Sequence, residues 1–134
     1  MIDKAFVDTN VLIYAALRND PRSERAEELL TVERVISVQV LNEFVSVARR
    51  KYEMPWKTLR LALQWIRVLC PDPVYLTVET HDEAVSIAEE YGYKIYDSLI
   101  LAAALEARCA TLISEDFQHG QVIRGKLTIN NPFL

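Results

Sequence analysis

The sequence predicts an α/β fold, a three-layer α/β/α sandwich around a central parallel β-sheet. Three observations lead there. Short β-branched segments alternate with helical patterns along nearly the whole chain, which calls for parallel strands joined by right-handed crossovers. The first apolar run stops at Asp8 and resumes at Val11, so an acid ends the first strand, at the edge where open α/β sheets keep their ligand crevice. Hydrophobic residues make up 51% of the chain and glycine only three positions, a composition for a compact, helix-rich globule rather than a disordered tail.

The elements follow in order. Phe6 and Val7 suit a buried strand, and Val11 to Leu17 the helix after it. Asp20-Pro21 reads as a cap with proline at the first helical position, opening a helix to about Leu30. Val35 to Val38 is a short strand, followed by a helix with Val40, Leu41, Phe44, Val47 and Ala48 at helical spacing. Pro55 opens the next helix, whose first apolar strip is Leu59, Ala62, Leu63, Ile66 and Leu69. Leu61, Trp65 and Val68 form a second strip, a width that predicts burial on more than one side, with a partner surface as the alternative. Val74 to Val78 is the third strand. Thr80 and Glu83 have the spacing of a capping box for a helix that Gly92 closes. A connector reaches Tyr96, an apolar helix runs from Asp97 to Arg108, and Ala110 to Ile113 and Leu127 to Ile129 are the last strands.

At 134 residues the chain has length for one domain and can bury roughly two-thirds of its unfolded surface. Cys70 and Cys109 make neither a disulfide framework nor a CxxC site, and Met1 to Lys4 lacks a basic leader, so a reducing cytoplasm is expected. Leu99 to Leu105, the most apolar stretch, is far short of the roughly 20 residues of a membrane span. The formal charge of −4 argues against a general polyanion-binding surface. It leaves a nucleic-acid substrate open, because carboxylates loaded with divalent cations become locally positive.

Four acids stand out. Asp8 ends the first strand; Glu43 sits at the rim of an apolar helix face; Asp97 begins the most hydrophobic helix; Asp116 lies just beyond the strand that ends at Ile113. In a parallel sheet these places share one edge. Two ionised carboxylates ~5 Å apart repel by roughly 3 kcal/mol at an effective dielectric near 20, about two pKa units per close pair. Four together need a compensating cation at neutral pH. Oxygen ligands favour Mg²⁺ or Mn²⁺ over zinc, and such ions can activate water for an in-line displacement at phosphorus. Each acid also has a plainer reading: Asp8 and Asp97 as helix caps, Glu43 as the partner of Arg50, Asp116 as a turn residue.

Four segments, in this order and at these separations, resemble the PIN-domain nucleases, in particular the VapC-like ribonuclease toxins of toxin–antitoxin pairs. They are Val7 to Ile13, Leu41 to Phe44, Tyr96 to Ala104 and Ser114 to Phe117, and the resemblance covers essentially the whole chain. It implies a single PIN-like nuclease domain over residues 1–134 and a catalytic metal site of Asp8, Glu43, Asp97 and Asp116. Ser114, Thr9 and Asn10 match supporting polar positions. It also implies Mg²⁺- or Mn²⁺-dependent hydrolysis of RNA phosphodiesters by activated water, a homodimer, and a small antitoxin covering the active-site groove.

Other residues carry less. His119 and His81 read as loop and helix-start residues. Arg49-Arg50-Lys51 could touch RNA phosphates or simply be a solvated helix end, and Tyr14, Arg18 and Arg22 could border the groove. A housekeeping RNA-processing nuclease is the alternative enzyme, and a non-catalytic PIN-like interaction module the alternative without chemistry. A haloacid-dehalogenase-type phosphatase wants a second acid two residues after Asp8, where this chain has Asn10. A receiver domain would need an acid pair ending the first strand, which Asp8-Thr9 does not supply.

Overall fold

The computed structural model describes residues 4–134, so the leader reading of residues 1–3 lies outside it. Along the chain run β1 (Ala5–Val7), α1 (Thr9–Ala16), α2 (Ser23–Leu29), α3 (Val38–Arg50), α4 (Trp56–Leu69), α5 (Val78–Tyr91), α6 (Ile95–Glu106), β2 (Thr111–Ile113), β3 (Val122–Ile123) and β4 (Leu127–Asn130). The α/β class expected from the alternation is present. Strand order is β1-β2-β4-β3, with β1, β2 and β4 parallel. All of Ala5 to Val7 is buried, as in strands covered on both faces.

β3 pairs antiparallel with β4, so the sheet is mixed, not purely parallel. Two strand residues are too few for a periodicity signal, which is why the sequence conceals β3. Val35–Val38 and Val74–Val78 are likewise not full strands. Val35 bridges Phe6 and Ser37 bridges Val74, both parallel, while Val38 and Val78 already begin helices. They extend the pairing beyond β1 by single bridges.

Several helix starts differ from the expected ones. The capping box of α5 is Thr77 with Thr80, three residues earlier than expected: Thr77 Oγ1 accepts from the Thr80 N–H at 3.1 Å and Thr80 Oγ1 from the Thr77 N–H at 3.3 Å. Glu83, freed from that role, pairs with Arg124. α6 begins at Ile95, which puts Asp97 in its first turn instead of at its cap. α2 begins at Ser23 because Asp20 is engaged with Arg22, whose N–H and Nε each lie 2.9 Å from Asp20 Oδ1. Pro55 does precede α4, and Gly92 closes α5 in the left-handed conformation at φ 79°.

The second strip of α4 is not buried by this chain. Leu61 and Val68 are 60% and 78% exposed and Trp65 is also exposed, while Leu59 and Ile66 are fully buried. Cys70 and Cys109 are free and buried, and burial pushes both thiols up to about 11.

Candidate active site

The register of β1 and β2 builds the centre of the site. Val7 pairs with Ile113, and the Asp8 N–H donates to the Ile113 carbonyl at 3.0 Å, so Asp8 and Ser114 leave the sheet side by side. Ser114 Oγ then donates to Asp8 Oδ2 at 2.7 Å. Asp8 Oδ1 accepts from the Thr9 N–H at 2.7 Å as the N-cap of α1. The cap reading and the site reading of Asp8 are both true of the geometry.

Thr9 and Asn10, in the first turn of α1, point to different acids. Thr9 Oγ1 donates to Glu43 Oε2 at 3.1 Å, and Gln39, one helical turn before Glu43, donates to Oε1 at 3.3 Å. Both carboxylate oxygens are held, and Glu43 forms no pair with Arg50. Asn10 Nδ2 lies 3.1 Å from Asp116 Oδ2, 3.1 Å from Ser114 Oγ and 3.5 Å from Asp8 Oδ2. Asn10 Oδ1 accepts from the Glu115 backbone N–H at 3.3 Å, which fixes the amide's orientation because that N–H can only donate. The Asp116 N–H in turn donates to Ser114 Oγ at 3.1 Å.

Asp97 is half-buried in the first turn of α6 and is bound to none of the other acids by a hydrogen bond. It is coupled to them through charge: it raises the Glu43 carboxyl, and Asp116 raises its own. Burial is the largest influence on Glu43 and Asp97, and both are pushed upward. Burial likewise lifts the Asp8 carboxyl to about 7. The charges of Asp116 and Glu43 add to that lift, while the hydrogen bonds from Ser114 and Thr9 oppose it.

Of the four acids, Glu43 and Asp116 line a cleft of about 400 Å³, together with Glu115 on its acidic side and with Tyr14, Arg50, Lys51 and Tyr52 elsewhere; Asp8 and Asp97 are not part of its wall. Nothing in the sequence singles out Glu115. It accepts the Tyr14 hydroxyl and, at 3.4 Å, Arg22 Nη1, whose guanidinium lies 3.8 Å from the Tyr14 ring centroid. Gln39 was also missed, although its i, i+4 spacing to Glu43 was a usable signal. Arg18 lines neighbouring hollows rather than this cleft. His119 serves its loop, with Nδ1 accepting from the Asn131 N–H at 3.0 Å, and His81 is exposed beside Asp82.

The available donors are oxygens, the chemistry that suits Mg²⁺ or Mn²⁺. Among the described residues no three His, Cys, Asp or Glu side chains stand together closely enough to hold a metal ion as they are; Asn10 Nδ2 lies between Asp8 and Asp116 instead.

Comparison with solved structures shows the same architecture elsewhere. A toxin–antitoxin complex from Klebsiella pneumoniae superposes with a TM-score of 0.70 at 26% identity, over 97% of this chain and 98% of that one. VapC20 from Mycobacterium tuberculosis, described as a sarcin–ricin loop cleaving toxin, gives 0.67 at 19% identity, over 84% and 92%. VapBC2 from Rickettsia felis, bound to a promoter DNA fragment, gives 0.67 at 19%, over 95% and 97%. A search of curated protein sequences finds no significant match. The family model of the PIN domain matches residues 5–124, from β1 through β3, and the chain therefore belongs to the PIN domain family.

Proposed function

We propose that this chain is a divalent-metal-dependent endoribonuclease acting as the toxin of a toxin–antitoxin pair. The observation that carries this reading is the convergence of Asp8, Glu43 and Asp116 at one sheet edge, with Asp97 within electrostatic reach, in a PIN-family chain. The toxin role is supported by the descriptions of its structural neighbours.

Asp8, Glu43, Asp97 and Asp116 would hold the Mg²⁺ or Mn²⁺. When bound, such an ion supplies an acidified water and neutralises charge developing on the phosphate. The chain's own residues do the positioning. Ser114 and Thr9 aim the two Asp8 oxygens, Thr9 and Gln39 aim those of Glu43, and Asn10 ties Asp116 to Asp8. The partners that follow from this reading are RNA, a second copy of the chain and an antitoxin covering the groove. The exposed Leu61, Trp65 and Val68 strip of α4 is apolar surface available to protein partners. The setting proposed is the cytoplasm; separately, no helix of the described residues is long and apolar enough to cross a membrane.

Expression in a bacterial host tests the toxin role. Growth arrest by the wild-type chain, absent for Asp97→Asn and relieved by co-expressing a neighbouring small reading frame, is the expected result. RNA cleavage in vitro without growth arrest would instead favour a processing nuclease.

A further inference from the structure

The cleft is not acidic throughout. From Glu43, the α3 face that lines it continues through Ser46 and Val47 to Arg50, three, four and seven residues on, so one stripe of the helix runs along the wall. Seven residues of helix put the Glu43 and Arg50 backbones roughly 10 Å apart. Lys51 and Tyr52 extend the wall past the helix end, with Lys51 Nζ 5.5 Å from the Tyr52 ring centroid.

The neighbouring cations differ in how they are committed. Arg49 donates to the Met54 carbonyl at 2.8 Å and lies 4.7 Å from the Trp56 ring centroid, which occupies its guanidinium in structure. Arg50 and Lys51 are exposed and make no ion pair among the described residues. A cleft walled only by acids repels a polyanion. Two unpaired cations farther along the same wall give a strand somewhere to be held. Stacked nucleotides advance about 3.4 Å each along one strand, so the interval from Glu43 to Arg50 corresponds to about three stacked nucleotides, fewer if the strand is extended.

We propose that Arg50 and Lys51 form a phosphate-binding subsite for single-stranded RNA, one to three nucleotides from the bond presented to the acids, with Tyr52 as a stacking surface for a base between. Arg22 covers the Tyr14 ring at 3.8 Å and Phe133 meets it edge-on at 5.2 Å, whereas Lys51 stands farther from the half-buried Tyr52 ring, at 5.5 Å, which leaves Tyr52 the more open of the two to a base. This subsite rests on the nuclease reading above.

The test measures binding of a short fluorescent single-stranded RNA of mixed sequence by anisotropy, across a salt series in Mg²⁺. Every arm carries Asp97→Asn to prevent cleavage. Arg50→Ala and Lys51→Ala are compared with Arg67→Gln, an exposed α4 cation outside the cleft, after thermal melts confirm that all fold. Each cleft variant is expected to bind more weakly and to flatten the slope of log K against log salt by about 0.7; Arg67→Gln is expected to change neither. Unchanged slopes for both cleft variants, with the RNA still bound, would overturn the subsite and leave the nuclease reading standing. RNA bound by no arm, together with no RNA cleavage by the wild type, would defeat the nuclease reading and the subsite with it.

Discussion

Ser114 Oγ donates to Asp8 Oδ2 at 2.7 Å, joining two residues 106 positions apart. The bond exists because Val7 is registered with Ile113, so the first residues beyond β1 and β2 are neighbours. It lies on the link between sheet topology and active-site electrostatics: the same hydroxyl accepts from the Asp116 N–H and so connects two of the acids.

Ser114→Ala is therefore expected to alter stability and charge together. Losing a hydrogen bond to a buried carboxyl costs about 1–3 kcal/mol, read as a lower urea midpoint at neutral pH. It also removes the larger of the two hydrogen bonds that hold the Asp8 carboxyl down, leaving that from the Thr9 N–H, so its titration by NMR should move further upward. A wild-type titration in the variant would show that the bond does not act on Asp8.

Stability should depend on pH in a direction opposite to that of most surface acids. Burial raises Asp8 from the ordinary carboxylate range to about 7 in the folded chain, so the native state holds a proton that the unfolded state releases. That contribution is full below about pH 4 and is lost as pH rises through about 7, with Glu43 and Asp97 shifted in the same direction. A three-unit shift corresponds to a few kcal/mol at about 1.4 kcal/mol per unit. Metal-free protein should thus melt at progressively lower temperature across this window. Millimolar Mg²⁺ should restore stability at neutral pH and do little near pH 4, where the acids are protonated.

Thr9→Val keeps the shape of the side chain and deletes the donor to Glu43 Oε2. Because Thr9 is buried in a first turn whose cap is Asp8, helix α1 should persist and the far-UV spectrum stay unchanged. Misplacing a reacting group by about 1 Å can cost on the order of 100-fold in rate, and a fall of 10- to 100-fold in RNA cleavage is expected. Gln39→Ala removes the other support and should have a smaller effect, since its bond to Glu43 is the longer of the two, 3.3 Å against 3.1 Å.

Much of this was legible in the sequence because it rests on local rules. The break between Val7 and Val11 placed Asp8 at a strand end, and Pro55 and Gly92 marked helix limits through their own backbone chemistry. What stayed hidden depends on contacts between distant segments. β3 owes its existence to pairing with β4, and Val35 and Val74 bridge without forming strands. The capping box shifted because Thr80 is buried at the third helical position, where its hydroxyl also donates to Glu106 at 3.0 Å, a partner from another helix. Within the site, the acids could be placed on one edge from topology alone. Asn10 as the bridge between Asp8 and Asp116, and Glu115 as the acceptor for Tyr14 and Arg22, required three-dimensional proximity that no local spacing encodes.

RNA cleavage by the purified chain tests the central claim most directly. Wild type, Asp8→Asn and Asp97→Asn are compared in Mg²⁺, in Mn²⁺ and in excess chelator. Cleavage by the wild type with either ion, abolished by chelator and reduced at least 100-fold in both variants, is the expected result. Equal cleavage by all three proteins, or cleavage that persists in chelator, would contradict a metal-dependent site built on Asp8 and Asp97.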